Sequence, residues 1–304
     1  MRRGAIRASA IGAGTTIASL ACGLWMPTPA KAIDYQPFDW VGLPSGTNVA
    51  MLYYQYGTRS AFNNTITGPA GPDTHLESHL GVVRYLRYQS IFDRLFVFDL
   101  ILPFGALTDG RLSGVRLDDA AGIADPLVSV GVWLINEPEQ QRYLSAATFL
   151  SIPVGTYDNR RTLNLGTNRW QNDLQVDFTQ GFLGRFTLDV SASWTWYGSN
   201  SQAGTGYQTL SQDSSFNTYA WLTWDISAQR QAFLSAGYAG TFGGAQRLDG
   251  FALGTGTEEH QIRLSYLQYL TPTLQGIVSV SHDVAAYGQF KQDFGLLVRL
   301  AKVF

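Results

Sequence analysis

The ionisable residues of this chain repeatedly fall on one side of alternating stretches. Asp173, Asp177, Arg185, Asp189, Arg263, Asp283 and Arg299 each occupy the polar register of such a stretch, as do Asp99, Asp225 and Asp293. Carboxylates and guanidiniums on a wall facing water could filter solutes by charge and width. The same residues could equally serve as cross-wall ion pairs in a hydrated interior. Asp173, Asp177 and Asp189 stand on neighbouring stretches and would favour cations unless facing arginines cancel them.

A second group lies between two stretches, from Val154 to Trp170. Pro153 and Gly155 turn the chain there. Tyr157, Arg160, Asn164, Asn168, Arg169 and Trp170 then combine hydrogen-bonding groups with aromatic planes. Such a loop either folds inward as a constriction and ligand contact or packs on a rim. Catalytic groupings are sparse. His75, Glu77 and His79 share one face of a strand, but no third partner for a metal is identifiable, so none is expected. Ser78 and His79 point to opposite faces, as do His282 and Asp283. No nucleophile elbow, phosphate loop or Cys/His cluster is present, and no cofactor or catalytic residue is expected.

The elements that would position these residues are strands. From Arg185 to Tyr197 the even positions run Phe186, Leu188, Val190, Ala192, Trp194, Trp196, while the odd ones are almost all polar. That period of two means a strand with one apolar and one wet face. Its length exceeds the five or six residues usual in soluble strands and matches the roughly nine to eleven that cross a bilayer. The pattern recurs around Leu174, Leu222, Leu234, Leu264, Val280 and Leu296. Earlier candidates are Val49–Gly57, Thr74–Tyr88, Arg94–Phe104, Ile123–Ile135 and Arg142–Pro153, where Arg84 interrupts an apolar row and suggests a bulge or a local phase change. About twelve strands result, joined alternately by short and long connections. The sequence therefore predicts an all-β transmembrane antiparallel up-and-down β-barrel with both termini in the periplasm. A soluble sandwich or propeller would explain neither the strand length nor the export signal described next.

Composition is consistent with this. The chain has 304 residues, only 14% of them charged, with a formal net charge of -2. That balance argues against nucleic acid as a partner. Mean hydropathy is -0.04, far below that of a helical membrane protein. A barrel conceals its membrane character because only every second strand residue meets lipid. At the N-terminus Arg2, Arg3 and Arg7 precede an uncharged stretch from Ala8 to Met26 and the small-x-small site Ala30-Lys31-Ala32. This predicts a cleaved signal peptide over residues 1–32, a periplasmic segment over 33–48 and a barrel over 49–304. Cys22, the single cysteine, would leave with the signal. The segment before the first strand carries Tyr35, Phe38 and Trp40 with Pro37 and Pro44, and would plug the lumen or lie on the periplasmic rim. The final strand ends at Phe304, a terminus that barrel-assembly machinery reads, with Lys302 as a departure. Outer-membrane lipids and a small-molecule solute are the other expected partners.

Several segments resemble one family in order along the chain. They are Asp125-Pro126, Trp133–Pro138, Ile152–Asp158, Leu163–Trp170, Thr195–Gly198, Tyr269–Thr273 and Leu300–Phe304. Together they are similar to the outer-membrane family named for the MetA pathway of phenol degradation. The resemblance implies a Gram-negative outer-membrane transporter linked to catabolism of aromatic compounds. It carries over no functional residues. The expected function is passive uptake of small molecules, aromatic or poorly charged. A barrel hydrolase and a structural or adhesive barrel with a closed lumen remain as alternatives.

Overall fold

The computed structural model describes residues 34–304. The expected signal peptide, with Cys22, lies outside the described residues. Twelve long strands form one antiparallel sheet: β1 Asn48–Asn64, β2 His75–Ile91, β3 Arg94–Leu112, β4 Leu127–Glu137, β5 Arg142–Ser151, β6 Gln171–Phe182, β7 Phe186–Tyr197, β8 Ser215–Ser227, β9 Ala232–Gly243, β10 Thr257–Thr271, β11 Leu274–Tyr287 and β12 Phe290–Val303. Each pairs with its neighbour in sequence, and β12 pairs with β1, so the sheet closes into a barrel. Closure is tight at the seam, where the Phe304 amide donates to the Asn48 carbonyl at 3.0 Å and the Asn48 amide to the Phe304 carbonyl at 2.9 Å.

The connections alternate as the turn residues require. Between β2 and β3 only Phe92 and Asp93 intervene, with φ of 49° and 61°. That conformation suits the right-handed twist of paired strands. Short turns lie at the end of the barrel where β1 begins and β12 ends. The long connections gather at the other end, where Asn200–Ala203, Gln208–Gln212, Gln246–Leu248 and Phe251–Ala252 form a small separate sheet. Strands β1 and β3 run well beyond the expected Gly57 and Phe104, to Asn64 and Leu112. Their outer ends have mixed polarity, so alternation alone could not follow them. In the other direction, Pro126 delays the start of β4 to Leu127, because proline cannot donate to a ladder.

The outward face is the apolar one. Leu174, Val176, Leu188, Val190, Leu222, Trp224, Leu264 and Val280 are exposed in continuous rows, which only lipid can cover. The inward face has two zones. Near the short turns it is a packed core in which Leu86, Val97, Trp133, Leu267, Ile277 and Leu297 are buried. Toward the long loops it is polar. The expected bulge at Arg84 is absent. Pairing runs through Arg84 without a shift on both sides, opposite Met51 and Ile101. Arg84 stays in phase with buried Val82 and Leu86 because the inward face of β2 is itself apolar, and the arginine is an interior residue. Its Nε and Nη2 donate to Asp99 Oδ2 on β3 at 2.9 and 2.6 Å.

This buried pair makes a stability prediction. Arg84→Ala strands the Asp99 carboxylate and is expected to cost about 3–5 kcal/mol. The double replacement by leucine should cost far less, because it removes both charges. Denaturant unfolding in detergent, followed by tryptophan fluorescence, compares the two variants. Equal losses would contradict the account.

Candidate functional site: a plugged lumen with a polar chamber

Residues 34–44 do not lie on a rim. They enter the barrel from the short-turn end and fill its lower half, with Tyr35 and Trp40 only 2% and 5% exposed. Two wall tryptophans hold the segment by its backbone. Trp221 Nε1 donates to the Tyr35 carbonyl at 3.1 Å, and Trp133 Nε1 to the Trp40 carbonyl at 3.0 Å. The Trp40 ring leans on Trp133 and Phe149 and occupies space left by Gly131, where a Cβ would stand 2.7 Å from the ring. Two ion pairs clamp the segment to one side of the barrel, on strands that flank β11. Arg263 of β10 pairs with Asp34, and Arg299 of β12 with Asp39 at 2.5 Å. Ser279 Oγ adds a bond to Gln36 Oε1 at 2.7 Å. Buried guanidiniums without these aspartates would be costly, so the plug and the barrel interior are matched.

Above the plug lies a chamber of about 300 Å³. Its floor includes Asp34, Phe149, Tyr219 and Arg263, and its walls carry Arg59, Asp173, Tyr197, Asn217 and Asp283. The wall groups are largely engaged with one another. Asp173 accepts from Ser193 at 2.9 Å and Thr195 at 2.5 Å. Asp283 accepts from Gln261 Nε2 and the Gln292 amide, each at 2.7 Å. Arg59 donates to Ser78 at 3.0 Å and Gln292 at 3.3 Å.

The loop of residues 152–170 roofs one side of this chamber. Asp125, just before β4, anchors it. Its carboxylate accepts from the Gly155 amide at 2.9 Å, the Thr167 amide at 2.7 Å and the Thr167 hydroxyl at 2.6 Å. The two ends of the loop then touch backbone to backbone. A Cβ on Gly166 would lie 2.7 Å from the Gly155 carbonyl carbon. Leu163 and Leu165 are driven into an apolar cluster with Leu76, Leu107 and Phe290 at the barrel mouth. Asn164 bonds inside the loop, accepting from the Asp158 amide at 2.8 Å and donating to the Asp158 and Arg161 carbonyls at 3.1 Å each.

The expected site residues separate accordingly. Asp173, Arg263 and Asp283 face the chamber. Arg299 lies beneath it in the plug clamp, and Asp177 and Asp189 are fully buried in the wall. Arg185 is not on the lumen. It is exposed in the turn between β6 and β7, because the chain leaves the ladder before the alternation in sequence ends. In the loop, Arg169 is buried, donates to Gln212 and sits 5.0 Å over the Tyr197 ring. Burial pulls its guanidinium down to about 10, still charged at neutral pH. Asn168 bridges to Asn200 at 3.0 Å, and the Tyr157 hydroxyl donates to the Gln202 carbonyl at 3.3 Å. Arg160 points to solvent, where its hydrogen bonds hold the Asp158 carboxyl well below the usual carboxylate range. Trp170 is exposed on the outward face, in phase with Leu174 and Val176. His75, Glu77 and His79 face outward with Tyr54 and Tyr56, His79 Nδ1 lying 2.9 Å from the Tyr54 hydroxyl. Ser78 faces the lumen, so it forms no dyad with His79.

Sequence reasoning missed Asp34, Asp39, Asp125 and the Arg84–Asp99 pair. One signal was available. Trp221 stands on the polar row of β8, out of phase with Leu222 and Trp224, and such an aromatic marks something apolar to be held inside.

Residues 53–300 match the sequence model of the family described as the MetA-pathway of phenol degradation. The chain belongs to that family. A solved outer membrane channel of Pseudomonas putida F1 is similar to this family member over 89% of its length and 100% of the channel's, at 27% identity and a TM-score of 0.83. The translocator domain of the autotransporter NalP from Neisseria meningitidis matches at 10% identity, a TM-score of 0.51, and 86% and 89% coverage of the two chains, a likeness of fold alone. No curated protein matches. The family member is an outer-membrane β-barrel.

The loop anchor is testable. Asp125→Ala removes the acceptor for three donors and should raise amide exchange across residues 154–167 by at least about tenfold, a local loss of roughly 1–3 kcal/mol. Exchange in β6 and β7 should stay unchanged. Uniform protection in the loop would contradict an anchoring role.

Proposed function

We propose that this protein is an outer-membrane channel for passive, energy-independent uptake of small molecules, with phenolic and related aromatic compounds as the substrate class. The supporting observation is the chamber above the plug. Its walls interleave hydrogen-bonding groups with the rings of Phe149, Tyr197 and Tyr219. A phenol presents one ring and one hydroxyl, and both find partners there. The chamber's volume of about 300 Å³ is at the small end of ligand sites, suiting a single-ring solute. Family membership supports the same class. Passage past the chamber requires the segment from Asp34 to Pro44 to shift, so the Asp34–Arg263 and Asp39–Arg299 clamps set how often the path opens. The 152–170 loop sets what enters from outside.

The plug also favours a second reading, a structural barrel whose lumen stays closed. One experiment separates the two. The chain from Ile33 to Phe304 is inserted into a planar bilayer beside a version beginning at Ser45 and an Arg299→Gln variant. The channel reading expects rare, small steps from the full chain, larger and longer ones from both altered forms, and block by added phenol. Silence from the full chain under every voltage, with conductance only after truncation, would favour the structural reading.

A further inference from the structure

Three guanidiniums in the barrel interior have carboxylate partners: Arg84 with Asp99, Arg263 with Asp34 and Arg299 with Asp39. Among the interior carboxylates outside these pairs, two on adjoining strands each leave one oxygen without a hydrogen bond. Asp177 on β6 and Asp189 on β7 are 1% and 0% exposed, and among the described residues neither forms an ion pair. Each uses one oxygen only. Gln175 Nε2 donates to Asp177 Oδ1 at 2.7 Å, and Thr179 Oγ1 to Asp189 Oδ1 at 2.6 Å. The second oxygens, Asp177 Oδ2 and Asp189 Oδ2, have no hydrogen-bond partner.

Three further buried oxygens without partners belong to the same patch: Ser145 Oγ, Ser191 Oγ and the Tyr35 hydroxyl. Ser145 and Ser191 are 0% exposed. The strand register puts both directly opposite Asp177, Ser145 from β5 on one side and Ser191 from β7 on the other. Cross-strand neighbours on one face stand about 5 Å apart at Cβ. Asp189 is opposite Thr179, one pair further along the same face. Tyr35 comes from the plug, with its ring 5.8 Å from Tyr219 and its hydroxyl within electrostatic reach of Asp177 and Asp189. Asp39 of the plug, whose charge also acts on Asp177, is paired with Arg299.

Two carboxylate oxygens and three hydroxyl oxygens thus lie in one dry patch of wall and plug, and none of the five makes a hydrogen bond. An unpaired buried carboxylate is costly, and two side by side cost more. The geometry points to a cation site between the barrel wall and the plug, held by Asp177, Asp189, Ser145, Ser191 and the Tyr35 hydroxyl. Oxygen-only ligands select a hard cation, and two carboxylate charges balance a divalent one, calcium or magnesium. Such an ion would tie Tyr35 to β6 and β7, on the side of the barrel away from the Arg263 and Arg299 clamps.

The test uses the chain from Ile33 to Phe304, refolded in detergent without lipopolysaccharide and stripped with EDTA. Calcium or magnesium is titrated by calorimetry, and thermal unfolding is read at matched ionic strength with sodium as control. The expected result is one saturable site per chain, with a melting temperature raised by the divalent ion and not by sodium. Asp177→Asn and Asp189→Asn should each weaken binding by at least about tenfold, and the double variant should abolish it. Tyr35→Phe, which leaves both carboxylates and all three ion pairs in place, should weaken binding while its heat-modifiable gel migration stays native. No saturable binding overturns the proposal. So does equal binding by wild type and Tyr35→Phe, or a sodium effect as large as that of calcium. A carboxylate pair that holds only a proton or water gives one of these results.

Discussion

In hydrocarbon no water is available to satisfy a peptide group, so every backbone donor and acceptor of a spanning sheet must find another strand. The pairing of β12 with β1 meets that demand here and fixes much else. It makes the strand count even, gathers the short turns at one end and forces strict alternation on the outward face. Closure also creates an interior. Eight strands leave only enough room for their own side chains, whereas twelve leave a lumen that something must fill or water must enter. This chain does both. The segment around Tyr35 and Trp40 packs the lower half, and the upper half remains a polar chamber.

The two halves follow different chemistry. In the lower half, wall positions that would face water in an open pore are Val97, Trp133, Leu267 and Ile277, and the plug brings rings to meet them. Carbonyls of a plug without regular structure would be unpaired there, and the indole donors of Trp133 and Trp221 meet two of them. In the upper half, loops replace the plug as the source of contacts. Asp125 draws the 152–170 loop over the mouth, and Leu163 and Leu165 keep it there by burial.

The barrel itself was legible because alternation is a local property. Any strand whose outward row is apolar and whose inward row is polar declares its phase, as β6 and β7 do. Strand β2 did not. Its inward row of Leu76, Val82 and Leu86 is largely apolar because distant residues cover it, and Arg84 then looked like a fault in the pattern when it was a charged member of a buried face. The chamber residues on β6, β10 and β11 were found by the same alternation, whereas Arg185 was misplaced because phase carries no information about where a strand stops. The plug clamps were not readable. Nothing local links Asp39 to a partner 260 residues away, and the fold that joins them exists only after closure.

That separation has a consequence for how the molecule is built. The residues around Asp34 and Asp39, ahead of β1, have their partners on late strands of the sequence, β10 and β12. Until those strands are in place the segment has no lumen to enter, so the beginning of the chain is placed at the end of assembly. The high contact order makes that step slow compared with the hairpins. It also gives assembly a natural order of events: the wall closes first, and the segment ahead of β1 then seals its interior.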